Sequence, residues 1–289
     1  MKITTTVIPA AGFGTRMLPA AKAVPKELLP VLDRPALQHI IEEAAAAGCS
    51  RAVLITSPEK RAIEEHFGSS SRLRERLKSS GKEALLESID ALLAKVSMNT
   101  VHQLEQKGLG HAVLQAKSLV NGQPFLCQLG DAVFSGDVSP ARQLIDAARE
   151  LGTAVIGLEE VPLEKVSRYG IVGGPVVRGG VLRLDTLVEK PSKESAPSRY
   201  AIAARYVLTP AIFDCLERTT PGAGGEIQLT DALKLLLARE PIHGVVLRGR
   251  RHDIGNPVDW LMTNLVFASR DAATWKAIAP LVRTLLDDR

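Results

Sequence analysis

Short apolar runs alternate with longer amphipathic stretches along the first half of the chain. Ile3 to Ile8 is rich in β-branched residues and reads as a buried strand that breaks at Pro9. Ala36 to Ala47 places apolar side chains at helical spacing and stops at Gly48. Arg51 to Thr56 reads as the next strand, and Ser57-Pro58 as the cap and first position of a helix running toward Phe67. This strand–helix–strand–helix order predicts a parallel sheet with right-handed crossovers. Residues 69–96 are polar and charged with interspersed leucines, which predicts one or two helices outside the sheet. Thr100 to Gln103 reads as a short strand, after which a glycine loop enters a helix through Val120. Phe125 to Leu129 is an apolar strand ending on Gly130-Asp131, and a helix from Ser139 to Leu151 leads to a strand over Ala154 to Leu158.

The pattern changes after that point. Residues 169–208 are glycine-rich, with short strands and no long helix, and predict an antiparallel part covering a sugar or other substrate. Helices are expected over Pro210 to Glu217 and Leu229 to Arg239, a strand over Gly244 to Leu247, and residues 252–256 closing the sheet. Two terminal helices, 257–268 and 272–287, complete a chain without internal repeats or low-complexity segments. The fold class is therefore α/β: a Rossmann-like, mostly parallel central sheet flanked by helices, with a smaller antiparallel part.

Composition narrows the partners. The 289 residues carry a formal net charge of +4 with acidic and basic residues interleaved, which suits an anionic small substrate better than a nucleic-acid track. Cys49, Cys127 and Cys215 are far apart and lie in or beside apolar runs, so they read as buried free thiols in a reducing compartment. No apolar run reaches the roughly 18 residues of a membrane helix, and no signal-peptide pattern follows Met1-Lys2. A cytoplasmic protein is expected, without membrane or nucleic-acid partners.

The chemistry concentrates after the first strand. Ala10, Ala11, Gly12 and Gly14 form a loop of small residues, and Arg16 and then Lys22 and Lys26 follow over the next dozen positions. Free N–H groups and cations converging there suit a polyphosphate. The dinucleotide fingerprint G-x-G-x-x-G would need glycine at position 17, where Met17 stands, and the P-loop pattern is absent. Hydrolytic nucleophile and zinc motifs are absent too, and His102, His111, His243 and His252 are scattered. Asp131 and Asp253 each follow a strand, where open α/β sheets bind ligands. By position alone Asp131 reads as a cap or turn residue, and it becomes a metal ligand only with a partner. With the lysine of Glu189-Lys190-Pro191, this set fits phosphoryl-type transfer through positioning and charge rather than a covalent nucleophile.

Several segments together resemble the sugar-nucleotide pyrophosphorylases. They are VIPAAGFGTRMLPAAKAVPKELLP from Val7, the Gln103–Val113 segment ending GLGHAV, LGD at 129–131, YGIV at 169–172, VEKP at 188–191, RYVLTP at 205–210 and PGAGGEIQLTDAL at 221–233. They occur in the family's order over nearly the whole chain, and the similarity is greatest to members that use UTP and glucose 1-phosphate. The resemblance implies a nucleotidyltransferase or glycosyltransferase-A-like fold in one domain over 1–289. Its nucleotide-binding part would span about 1–152, its sugar-phosphate-binding part about 153–256 and its C-terminal helices about 257–289. It implies that Ala10, Ala11, Gly12 and Gly14 hold the nucleotide through backbone N–H groups, and that Gln103 and Gly108 read the uracil edge. Arg16 and Lys26 would face the β and γ phosphates, and Asp131 and Asp253 would hold Mg²⁺. Gly170, Glu189, Lys190 and Tyr206 would bind the sugar phosphate, with Lys190 also catalytic.

The same resemblance implies a homodimer or homotetramer. Other readings are a pyrophosphorylase for dTTP or another hexose 1-phosphate, and a non-catalytic UDP-glucose-binding regulator. Ala132 stands where the family usually has a second aspartate, His102 where arginine is common, and His252 where a tyrosine usually precedes Asp253.

Overall fold

The computed structural model describes residues 1–68 and 71–287. Thr5–Pro9 pairs in parallel with Arg51–Thr56 on one side and Phe125–Gln128 on the other, and Ser97–His102 adds another parallel strand beyond Arg51–Thr56. Helical crossovers make this possible, the first being Ala36–Ala46. The expected helix after Ser57 opens as a 3₁₀ turn, and the Ser57 side chain makes no capping bond. Two helices, Ser71–Ser79 and Glu87–Leu93, occupy the 69–96 stretch, and the expectation at Ser69 and Ser70 lies outside the described residues. The helix expected through Val120 is two short ones, Leu109–Leu114 and Lys117–Val120.

The glycine-rich region is woven into the main sheet, which has eleven strands among the described residues. Tyr200–Leu208 runs antiparallel between Phe125–Gln128 and Ala154–Glu160, so it is buried on both faces and, Arg205 apart, reads as an apolar run. Its register shifts between Ile202 and Tyr206, and Ala204 there has φ of 58°, a bulge that bends the strand beside the site described below. Gly170–Gly173 pairs with Thr186–Glu189 and with the start of Tyr200–Leu208. Val176–Arg178 and Val181–Arg183 extend the far edge through Ile242–Val246.

Residues 252–256 do not close this sheet. Arg250–Asp253 instead forms an antiparallel two-stranded ribbon with Ala132–Ser135, a strand absent from the sequence expectation. Arg250, Arg251 and His252 in succession would be costly on a strand buried on both faces. The ribbon leaves Arg251 free to pair with Glu159. Pairing also sets Asp253 opposite Ala132, and the Ile254 N–H donates to the Asp131 carbonyl at 2.9 Å.

Helices seal the faces by simple periodicity. Pro140–Leu151 buries Ala141, Leu144, Ile145 and Ala148, and the Ser139 hydroxyl caps it by accepting from the Arg142 N–H. Phe125 stacks on Phe213 with ring centres 5.4 Å apart. The three cysteines are buried and free, and burial pushes the Cys49 and Cys127 thiols up to about 12. Among the described residues no helix is long and apolar enough to cross a membrane.

Candidate active site

At the carboxyl ends of the parallel strands lies a cavity of about 510 Å³. It gathers Ala10, Ala11, Gly12, Gly14, Arg16, Lys26, Gln103, Gly108 and Asp131, residues up to 121 positions apart in the chain. The Ala10 N–H is already donated to the Ile55 carbonyl, so the loop's free amides begin at Ala11. Among the described residues, the N–H groups of Ala11, Gly12, Phe13 and Gly14 make no hydrogen bond within the chain. Gly14 turns with φ of 67°, and a side chain there would also meet the Lys26 stem, with Cβ 3.2 Å from Cδ.

Two buried ion pairs support the cavity, and neither was evident from sequence. Lys60 donates to both Glu27 oxygens, at 3.0 and 2.8 Å, and to the Ala10 carbonyl at 2.6 Å. Burial pushes the Glu27 carboxyl up, with Lys60 and Lys26 opposing, and burial pushes Lys60 down against the pull of Glu27. Arg205 forms a two-pronged pair with Glu43, Nε to Oε1 at 3.2 Å and Nη2 to Oε2 at 2.8 Å. It also donates to the Ala132 carbonyl at 2.9 Å, next to Asp131.

Lys26 hydrogen-bonds and ion-pairs with Asp131. Burial alone would raise the Asp131 carboxyl, but Lys26 and then Arg16 pull it below the ordinary carboxylate range, so it is an anion. The Lys26 ammonium is held above its ordinary value, with Asp131 and Glu27 outweighing its burial. Asp253 lies outside the cavity lining but beside it: a Cβ on Gly255 would fall 2.7 Å from Asp253 Oδ1 and 2.6 Å from Arg16 Nη2. Among the described residues no group of three or more His, Cys, Asp or Glu side chains is placed to hold a metal. The donor set on offer is therefore two carboxylates on neighbouring chain segments. That suits a hard cation which completes its shell with phosphate oxygens and water, as Mg²⁺ does.

A second cavity, of about 140 Å³, shares Leu109 and Leu129 with the first. Gly170, Glu189 and Tyr206 line it together. Glu189 is set opposite Gly170 by strand pairing, and its Oε2 accepts from the Thr230 hydroxyl at 2.7 Å. Tyr206 is buried, and that burial, reinforced by Cys127 and Glu189, raises its hydroxyl well above the usual range. Lys190 lines neither cavity. Its φ is 46°, its side chain is about half exposed, and Nζ lies 3.5 Å from Glu189 Oε1 at the rim. Thr230, Arg168 and Arg251 also line this cavity and were missed; only Thr230 lies in a segment that had attracted notice.

Gln103 is tied on three sides. Its N–H donates to Thr56 at 2.8 Å, and its side-chain nitrogen reaches the Gly108 carbonyl at 3.1 Å and His111 Nδ1 at 2.9 Å.

Residues 5–269 match the family described as nucleotidyl transferase. A UTP–glucose-1-phosphate uridylyltransferase of Staphylococcus epidermidis is 41% identical over 284 residues, covering 98% of this chain and 99% of that protein. A UTP-bound UGPase from Acinetobacter baumannii superposes with a TM-score of 0.90 at 33% identity, over 97% of this chain and 99% of the other. A UDP-glucose pyrophosphorylase crystallised with UDP-glucose gives 0.86 at 37% identity, over 93% of this chain and all of the other.

Proposed function

This chain belongs to the nucleotidyl transferase family, and we propose that it converts UTP and α-D-glucose 1-phosphate to UDP-glucose and pyrophosphate. The observation that carries the reading is the pair of joined cavities. One is lined by free loop amides and two cations; the other is lined by a carboxylate and a tyrosine suited to sugar hydroxyls.

UTP lies in the larger cavity, its phosphates against the amides from Ala11 onward and its base toward Gln103 and Gly108. Glucose 1-phosphate enters the smaller one, its hydroxyls toward Glu189 and Tyr206 over Gly170, and Lys190 at the rim meets its phosphate. The sugar-phosphate oxygen attacks the α-phosphorus in line, and the bond from that phosphorus to the bridging oxygen breaks. No proton needs to move to make pyrophosphate a leaving group; charge must be neutralised instead. Arg16 and Lys26 supply that neutralisation. Asp131 and Asp253 would hold Mg²⁺, which supplies Lewis-acid charge compensation to the phosphates when bound. The enzyme works in the cytoplasm as a homodimer or homotetramer, which light scattering tests; a strict monomer refutes the assembly.

Pyrophosphate release from the purified protein with Mg²⁺ and glucose 1-phosphate, compared across UTP, dTTP, CTP, ATP and GTP, tests the reading. Release largely confined to UTP is expected, and a dTTP preference overturns the base assignment. Nucleotide binding without any release points to a regulator, a reading that Ala132 keeps in play. Lys26→Ala or Asp131→Asn should lower kcat by about 10²–10³ while the protein stays folded. Lys190→Ala should chiefly raise the KM for glucose 1-phosphate; unchanged kinetics in all three remove the assignment.

A further inference from the structure

The geometry points to His111 as a positioning residue that fixes which end of the Gln103 amide faces the base, and so sets the preference for UTP over CTP. The inference rests on the uridylyl reading and deepens it. His111 does not line the nucleotide cavity, so it acts through Gln103 rather than on the ligand.

The orientation of a glutamine amide follows from its partners. A carbonyl oxygen can only accept, so the atom 3.1 Å from the Gly108 carbonyl is the Gln103 nitrogen. Its second hydrogen is directed at His111 Nδ1, 2.9 Å away, which makes Nδ1 the acceptor and places the ring proton on Nε2. On the far side of the ring the Gln115 amide nitrogen donates to the His111 carbonyl at 3.1 Å. Its 3.2 Å approach to the protonated Nε2 brings two donors together and is not a hydrogen bond, so the shorter Gln103 contact decides the tautomer. Both Gln103 hydrogens are thus committed away from the base. Oε1 remains, with no hydrogen-bond partner among the described residues, on a side chain that is 3% exposed and lines the cavity.

An acceptor held there distinguishes the pyrimidines. Uracil carries a hydrogen on N3 and donates to Oε1; cytosine presents a lone pair at N3, and the two acceptors repel. To admit cytosine the amide must turn over, which sets Oε1 against the Gly108 carbonyl and against Nδ1. Leaving buried polar groups unpaired in this way is the kind of mismatch that hydrogen-bonding sites reject strongly. Thymine has the same N3 hydrogen, so the device sorts UTP from CTP and is silent on dTTP.

The test is the ratio of kcat/KM for UTP to that for CTP, measured in the full-length wild type, His111→Phe and His111→Asn. His111→Phe keeps a ring but removes the acceptor, and the ratio should fall about tenfold, with UTP kcat within about threefold of wild type. His111→Asn can return an oxygen to the Nδ1 position and should restore most of the ratio, which a purely structural role would not require. Should the phenyl ring disturb folding, His111→Ala reads the same ratio. A wild-type preference that survives in His111→Phe or His111→Ala overturns the inference alone, as does His111→Asn behaving like the acceptor-free variants. A wild type that does not prefer UTP to CTP overturns the uridylyl reading, and this inference with it.

Discussion

Two buried cations hold the site in place, and they do it differently. Lys60 sits under the glycine loop and spends its ammonium on the Glu27 carboxylate and the Ala10 carbonyl. Arg205 sits under the ribbon, and its planar guanidinium reaches Glu43, the Ala132 carbonyl and the Ala204 carbonyl while lying 4.8 Å over the Phe134 ring. Glu43 in turn accepts from the Ala141 N–H at the start of the Pro140–Leu151 helix. The arginine therefore joins two helices, the central antiparallel strand and the ribbon, whereas the lysine pins one loop. A rigid fork can serve many elements at once, and a compact ammonium serves the few groups within its reach. The contrast separates a tie that supports the fold from one that shapes the larger cavity.

The largest effect is expected at Arg205. Arg205→Met strands the Glu43 carboxylate and two carbonyls, and should cost about 3–5 kcal/mol, lowering Tm by roughly 10 °C or more. Differential scanning calorimetry reads it, and a loss under about 1 kcal/mol would break the comparison. Lys60→Met should cost less stability, because burial already pushes Glu27 toward its neutral form and it can take up a proton. The same variant frees the Ala10 carbonyl, and kcat/KM for UTP should fall about 10–100-fold. If Lys60→Met unfolds as readily as Arg205→Met yet keeps full turnover, the division of labour is wrong.

Ala132→Asp sharpens the contrast from the ribbon side. The new carboxylate would stand opposite Asp253, where like charges on directly paired strands repel. A Tm lowered by a few degrees without Mg²⁺ and largely recovered with it is the expected outcome; a Tm indifferent to Mg²⁺ counts against both aspartates facing one ion. The last effect concerns acid. Burial, then Arg250, Arg251 and Arg270, push His252 down to about 4 from 6.5. Between those values the folded state binds fewer protons than the unfolded chain, so stability falls as pH is lowered from 6.5 to 4 and levels off below. His252→Phe should flatten that slope in a series of melts.

The strands Arg51–Thr56, Phe125–Gln128 and Ala154–Glu160 were legible because burial on both faces demands a continuous apolar run, which local sequence records. The glycine loop with Arg16 and Lys26 was legible for a similar reason: the small residues and cations that line the larger cavity together come from one short stretch of chain. Lys60, Arg205 and Thr230 were not, since each looks like an ordinary polar residue until folding brings Glu27, Glu43 or Glu189 to it across 33, 162 or 41 positions. The Ala132–Ser135 strand escaped because a four-residue ribbon directly after a turn carries too little pattern to separate from loop. His111 drew no weight as one of several scattered histidines, although it lies only eight positions from the glutamine it touches.

Sequence by itself determined the order of the main helices and core strands, the α/β class and the chemical kind of residue gathered at the strand ends, because these follow from local periodicity and short-range motifs. Tertiary structure alone decided that Tyr200–Leu208 runs through the middle of the sheet and that Asp253 returns to Asp131 on a separate ribbon. It also decided which buried cations brace the site. Strand pairing and ion pairing are contacts between distant positions, and their energy is realised only when the chain has closed the loops between them.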